Sequence, residues 1–217
     1  MLVMNRRMLL AGLSLSLAGS LAGISSANAA FVLADADRAD VARIETYLTN
    51  LHTLKARFLQ VAPNNSVSEG VVWLDRPGRM RFQYDPPSPF LLVANYGLVV
   101  FNDRQLQQTS NIPLSQTPLG IILADKVKLS GDVTIVGFRR QPGQIIVSLQ
   151  RTSSPSDGNI TLVFSDQPLA LQQWIVVDQQ RQTTSVKLYN VELGGKFDAT
   201  LFKVTTPTPA PSGAGGG

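Results

Sequence analysis

The chain has no cysteine and a single histidine, His52. Without a thiol there is no thiol nucleophile and no thiolate metal site. There is also no N-terminal cysteine to carry a lipid, which points to a mature protein that is soluble rather than anchored. One histidine alone cannot build a His/Cys metal centre, so no metal is expected. No G-x-S-x-G elbow supplies a nucleophile for His52 to activate. That histidine follows the apolar stripe of a helix and reads as a helix-end or surface residue. No glycine-rich phosphate loop is present, and no cofactor is expected. Carboxylates are sparse and lie mostly in turns, so no acid–base pair stands out. Elimination argues against an enzyme.

Charge is scarce as well: 16% of residues are charged against 44% apolar. That balance excludes general disorder. The net charge of +4 falls to +2 once Arg6 and Arg7 leave with a targeting segment. The densest remaining basic cluster, Arg76, Arg79 and Arg81, is too small for a nucleic-acid footprint, and no nucleic acid is expected as a partner.

Residues 1–29 read as a secretory signal. Arg6 and Arg7 form its charged start, Met8 to Ile24 its apolar stretch, and Ala27-Asn28-Ala29 a small-x-small cleavage site, which makes Ala30 the mature N-terminus. Glycine and serine positions between Gly19 and Ser25 weaken the alternative of a transmembrane helix. Asn5-Arg6-Arg7-Met8-Leu9-Leu10 resembles a twin-arginine signal, so both general secretory export and export of a folded chain stay open. Residues 30–205 suit one domain, and 206–217 form a Pro/Ser/Gly/Ala-rich flexible tail.

Within the domain, Val41, Ile44, Leu48 and Leu51 recur at helical spacing, with Arg38, Asp40, Arg43 and Glu45 on other faces. The spacing predicts an amphipathic helix over Asp37–Leu51, capped by Asp37 or Asp35. From Leu54 the period changes to two. Leu54, Ala56 and Phe58 alternate with Lys55 and Arg57. Val71–Leu74 and Arg79–Tyr84 read as a hairpin around Asp75-Arg76-Pro77-Gly78. In its second arm Met80, Phe82 and Tyr84 face inward, while Arg79, Arg81 and Gln83 face out. Further strands are predicted at Phe90–Ala94, Leu98–Phe101, Gln105–Thr109, Val127–Leu129, Val133–Arg139, Gln144–Gln150, Ile160–Phe164, Ala170–Val177 and Thr183–Val191. A break falls at Pro113–Pro118 and a short helix at Leu119–Leu123. Many short strands without helical crossovers predict one large antiparallel sheet, curled or closed into a barrel.

The segment Glu69-Gly70-Val71-Val72-Trp73-Leu74-Asp75-Arg76-Pro77-Gly78-Arg79-Met80-Arg81-Phe82-Gln83-Tyr84-Asp85-Pro86-Pro87 resembles the signature of the LolA family of outer-membrane lipoprotein carriers. Phe58-Leu59-Gln60, Phe90-Leu91-Leu92-Val93-Ala94-Asn95-Tyr96-Gly97 and Thr117-Pro118-Leu119-Gly120-Ile121-Ile122-Leu123 match further family segments in the same order, and Phe202 and Pro207 sit where the family ends its last strand. The resemblance spans roughly residues 37–207. It implies a mainly β (α+β) fold, an open or incomplete antiparallel β-barrel with an N-terminal amphipathic helix and short lid helices enclosing an apolar cavity. It further implies a monomeric carrier in the periplasm. The carrier would take acylated lipoproteins from an inner-membrane ATP-driven exporter and pass them to an outer-membrane lipoprotein acceptor. The expected lipid-binding wall is Phe58, Val72, Leu74, Met80, Phe82, Tyr84 and Leu92, with Leu119 and Ile122 in the lid. The family arginine that ties the lid to the barrel matches Arg76, whose five donors suit backbone carbonyls. Arg79 and Arg81 make the hairpin more basic than the family pattern, which bears on docking to exporter or acceptor. The tail stands in place of an ordered C-terminal extension. Three rival readings remain: a carrier of another apolar ligand, such as a glycolipid, on the same scaffold; a protein-binding module that carries nothing; and the outer-membrane acceptor itself, which is normally lipid-anchored through a cysteine that this chain lacks.

Overall fold

In the computed structural model, residues 31–204 are described. The expected secretory signal and the expected tail, with Pro207, lie outside the described residues. A 3-10 turn at Asp35–Asp37 runs into helix α1, Arg38–Asn50. Eleven strands follow: β1 Thr53–Val61, β2 Val67–Asp75, β3 Arg79–Tyr84, β4 Phe90–Asn95, β5 Leu98–Asp103, β6 Gln108–Pro113, β7 Val133–Gln141, β8 Gln144–Arg151, β9 Asn159–Ser165, β10 Ala170–Val177 and β11 Thr183–Leu193. A second short helix, α2, occupies Leu119–Ile122.

All eleven strands form one sheet in the order β6-β5-β4-β3-β2-β1-β11-β10-β9-β8-β7, with every neighbouring pair antiparallel. β6 and β7 are the free edges, and the sheet does not close between them. The segment joining those two edges, residues 114–132, contains α2.

The predicted alternation survives across the strip. In β3, Met80, Phe82 and Tyr84 are buried. Registry carries that face sideways. Phe101, Leu92, Phe82, Val72 and Ala56 lie in one row across five strands. Phe138, Val147, Leu162, Trp174 and Val186 form a row across β7 to β11. Side chains of period-two strands thus line a single apolar surface. Gly70 makes room on it. It pairs with Phe58 on one side and Tyr84 on the other, and a Cβ there would overlap the carbonyl oxygen of Gln83 and lie 2.8 Å from the Phe58 ring.

Helix α1 covers this surface with Ile44 and Leu48, both almost fully buried, and with Leu51 at its end. Tyr47 packs edge-on against Phe164, centroids 5.7 Å apart, and its hydroxyl accepts from the Leu171 amide at 3.1 Å.

Several expectations need correction. Neither Asp35 nor Asp37 caps the helix with its side chain. Asp37 already has helical backbone angles, because the 3-10 turn continues into α1, and Asp35 instead pairs with Arg38 at 2.8 Å. The strand expected at Gln105–Thr109 starts at Gln108, since residues 104–107 are taken up by a turn. Val127–Leu129 is not a strand. Val127 and Leu129 belong to the connection between the edges, where they are buried in the apolar cluster and make no ladder. The last strand ends at Leu193, and Phe202 belongs to a 3-10 turn at Ala199–Phe202. That turn lies over the outer face of the hairpin's second arm, so the charged face is not bare. Phe202 is 1% exposed under Arg79, whose guanidinium carbon lies 5.3 Å from its ring centroid. Arg81 donates to the Leu201 carbonyl at 3.0 Å.

Candidate functional site: an apolar trough with a fastened lid

The concave face brings the predicted wall together. Phe58, Val72, Leu74, Met80, Phe82, Tyr84 and Ile122 belong to one buried cluster, and the half-buried Leu92 and Leu119 pack against it. Aromatic edges meet at its centre: Phe58 with Phe82 at 4.9 Å, Phe58 with Tyr84 at 5.2 Å, and Phe82 with Trp174 at 6.1 Å. Such pairs add about 0.5–1.5 kcal/mol each beyond area burial. The Tyr84 hydroxyl is satisfied, donating to Gln60 Oε1 at 2.9 Å. Burial pushes its phenol up to about 12.

Above the face lies the connection from Leu114 to Leu129. Leu114, Ile121, Ile122, Leu123, Val127 and Leu129 all point into the cluster and are buried. The lid is therefore longer than the 117–123 segment legible in the sequence. Its far end is held by Glu45 of α1, which accepts from the Leu129 amide at 2.7 Å.

The near end is held by the turn between β2 and β3. Arg76 is only 7% exposed, and among the described residues no carboxylate lies within ion-pair distance of it. Its Nε donates to the Ala124 carbonyl at 3.0 Å, and Nη2 to Ala124 and Asp125 at 2.6 and 3.2 Å. Its Nη1 donates to Leu51 at 3.0 Å and to Leu48. The Gly78 amide adds a bond to the Leu123 carbonyl at 2.9 Å. These are carbonyls in the last turn of α1 or just past the ends of α1 and α2, where carbonyls lack an intrahelical partner and carry negative partial charge. One guanidinium thus satisfies two helix ends at once. Burial lowers its pKa from the usual arginine value, with Asp125 pulling the other way.

The other end of α1 has its own anchor. Asp40 accepts from Arg43 at 2.7 Å and pairs with Arg140 of β7, while Asp166, between β9 and β10, pairs with the same arginines at 3.1 and 2.6 Å. Asp40 is 4% exposed, not on an open polar face as its helical position predicts. His52 is exposed, and its carbonyl accepts from the Arg76 amide at 2.8 Å. Among the described residues no group of His, Asp and Glu is placed to hold a metal.

An apolar trough, a lid spanning its edges and an arginine at the hinge side reproduce, in order, the segments that resemble a known family. The family model described as outer membrane lipoprotein carrier protein LolA matches residues 49–205. The chain belongs to the LolA family. An outer-membrane lipoprotein carrier protein of Azotobacter vinelandii is 27% identical to it over 185 residues, 80% of this chain and 87% of that one. One from Legionella pneumophila (strain Lens) is 30% identical over 175 residues, 76% of this chain and 84% of that one. These LolA relatives are named as carriers, not as enzymes. A LolA superfamily protein from Nitrosomonas europaea superposes with a TM-score of 0.40 and 11% identity, covering 75% of this chain and 97% of that one.

For this LolA chain, sequence reasoning missed three contributors. Trp174 joins the inner wall from the opposite half of the sheet, visible only through the pairing of β10 with β11. Asp40 and Arg140 are a hundred positions apart and meet only in the fold. Gly70 was legible as part of the family signature, but its reason, the Phe58 ring, needs the β1–β2 register.

Proposed function

We propose that the protein is a periplasmic carrier that takes the acyl chains of lipoproteins from an inner-membrane ATP-driven exporter and delivers them to an outer-membrane acceptor. Family membership and the names of the relatives support it. The observation that carries it is the lid: an apolar segment covering an apolar trough, fastened at its near end through polar contacts to backbone carbonyls. An acyl chain loses about 0.8 kcal/mol for each CH₂ brought into water, so it needs an enclosure. Release needs a cover that moves, and Arg76 is the fastener. The wall, Phe58, Val72, Leu74, Met80, Phe82, Tyr84 and Leu92, and the lid residues Leu119 and Ile122 are the proposed acyl contacts. Loading parts the central aromatic edges and replaces their contacts with acyl contacts, which keeps the net gain moderate and the cargo releasable. Among the described residues no helix is long and apolar enough to cross a membrane. The test is depletion in the native host followed by fractionation of lipoproteins between the two membranes. Accumulation in the inner membrane is the expected result. An unchanged distribution overturns the proposal.

A further inference from the structure

On β8, Ile145, Val147 and Leu149 point inward and are fully buried. Alternation places Arg151, two positions on, on that same face at the end of the strand. Arg151 pairs with Val133 of the free edge strand β7. Its guanidinium reaches the lid: a Cβ on Gly120 of α2 would overlap Arg151 Nη2 and lie 3.5 Å from its Cζ. Gly120 lacks a side chain where the guanidinium passes.

Arg76 donates to four carbonyls and Arg140 pairs with two carboxylates. Arg151 differs from both. Among the described residues its side chain forms no ion pair and no hydrogen bond, and its Nε is buried without a partner. That buried Nε stands at the rim of an apolar wall, and the rest of the guanidinium fork is held by no other residue described. A half-buried polar group of this kind is costly unless something completes it. The planar fork of a guanidinium matches two oxygens of a phosphate or carboxylate. An apolar wall that ends in an unpaired cation is complementary to a molecule whose acyl chain ends in an anion.

We propose that the trough also selects acyl amphiphiles with an anionic oxyacid head group, phosphate or carboxylate, and that Arg151 binds that head under the lid. This rests on the carrier reading and extends it from the acyl chain to the head.

The test uses the purified full chain and calorimetric titration with 1-lauroyl glycerol, with its 3-phosphate, with laurate, and with inorganic phosphate alone. The wild type is expected to bind the two anionic lipids about tenfold more tightly than the neutral one, the size of one charge-assisted contact. Raising the salt concentration should shrink that ratio. Arg151→Gln should abolish the ratio while leaving the affinity for 1-lauroyl glycerol unchanged, and Arg151→Lys, which keeps the charge, should retain part of it. Phosphate alone should not bind in the same concentration range. Equal affinities for anionic and neutral lipids in the wild type overturn the inference, as does an Arg151→Gln variant that keeps the preference. Binding of phosphate alone as tightly as the lipid phosphate also overturns it, by showing a free-anion site. Failure of every lipid to bind overturns the carrier reading instead.

Discussion

Arg76 holds Ala124 by two bonds to one carbonyl oxygen, from Nε at 3.0 Å and from Nη2 at 2.6 Å. The two residues are 48 positions apart, and the bond fixes the lid to the β2–β3 turn. Replacing the guanidinium orphans carbonyls at the ends of both helices. Each buried acceptor left unpaired costs about 1–3 kcal/mol. Arg76→Leu is therefore expected to speed amide hydrogen exchange across residues 119–129 by tenfold or more. It should still accept cargo but, with no Arg76 bonds to re-form and draw the lid back against the wall, fail to pass it on. Transfer to an acceptor membrane at the wild-type rate would refute the fastening role.

Leu92 gives a test of the wall that spares the fold. It is half-buried, in register with Phe82 on the inner face, and sits toward the open edge rather than in the packed centre. A carboxylate there keeps access to water in the empty protein and loses it beneath a bound chain. Leu92→Glu should fold with a thermal midpoint within a few degrees of wild type and bind acyl ligands at least about tenfold more weakly. Unchanged acyl affinity would place the ligand elsewhere.

The ion network at the start of α1 has a pH signature. Arg43 first, then Arg140, hold the Asp166 carboxyl below its usual value of 3.8. A carboxyl depressed by folding contributes stability above its unfolded pKa, and that contribution disappears as pH falls through the folded one. The thermal midpoint of Asp166→Asn should thus lie below wild type at pH 7, and the gap should narrow below about pH 4. Asp85 and Asp198 shift in the same direction, so the comparison must be between wild type and this variant, not between two pH values of one protein. A gap independent of pH would mean that the network adds nothing as charge.

Gly70→Ala addresses the packing of the wall. The added methyl meets the Gln83 carbonyl and the Phe58 ring, neither of which is a flexible side-chain end. Overpacking of this kind costs about 1–3 kcal/mol. The urea midpoint should fall with little change in slope, and a neutral result would show that β1 and β2 can shift apart.

Much of the trough could be read from the chain alone because its signals are local. Met80, Phe82 and Tyr84 alternate with polar residues over a single strand, and Arg76 lies in a turn whose residue types announce it. What escaped depends on groups that meet from afar. Asp40 looks solvent-facing by helical position, yet Arg140 arrives from β7 to bury it. Phe202 looks like the end of a strand, yet it folds back beneath Arg79. The third error was chemical: Asp103 Oδ1 accepts from the amides of Gln105 and Leu106, at 2.9 and 3.1 Å, and Gln107 takes a positive φ. That turn consumes residues that by composition alone look extended. Val127 and Leu129 are apolar for the lid's sake, so their alternation mimicked a strand without one being there.

The lid is also the only covalent link between the β1–β6 half of the sheet and the β7–β11 half, whose other connection is the ladder from β1 to β11. A single proteolytic nick between Leu114 and Asp132 would therefore divide the polypeptide into two fragments without dismantling the sheet. They would stay together through that central ladder, and the trough would keep its floor beneath a divided cover still tied by Arg76 and by Glu45.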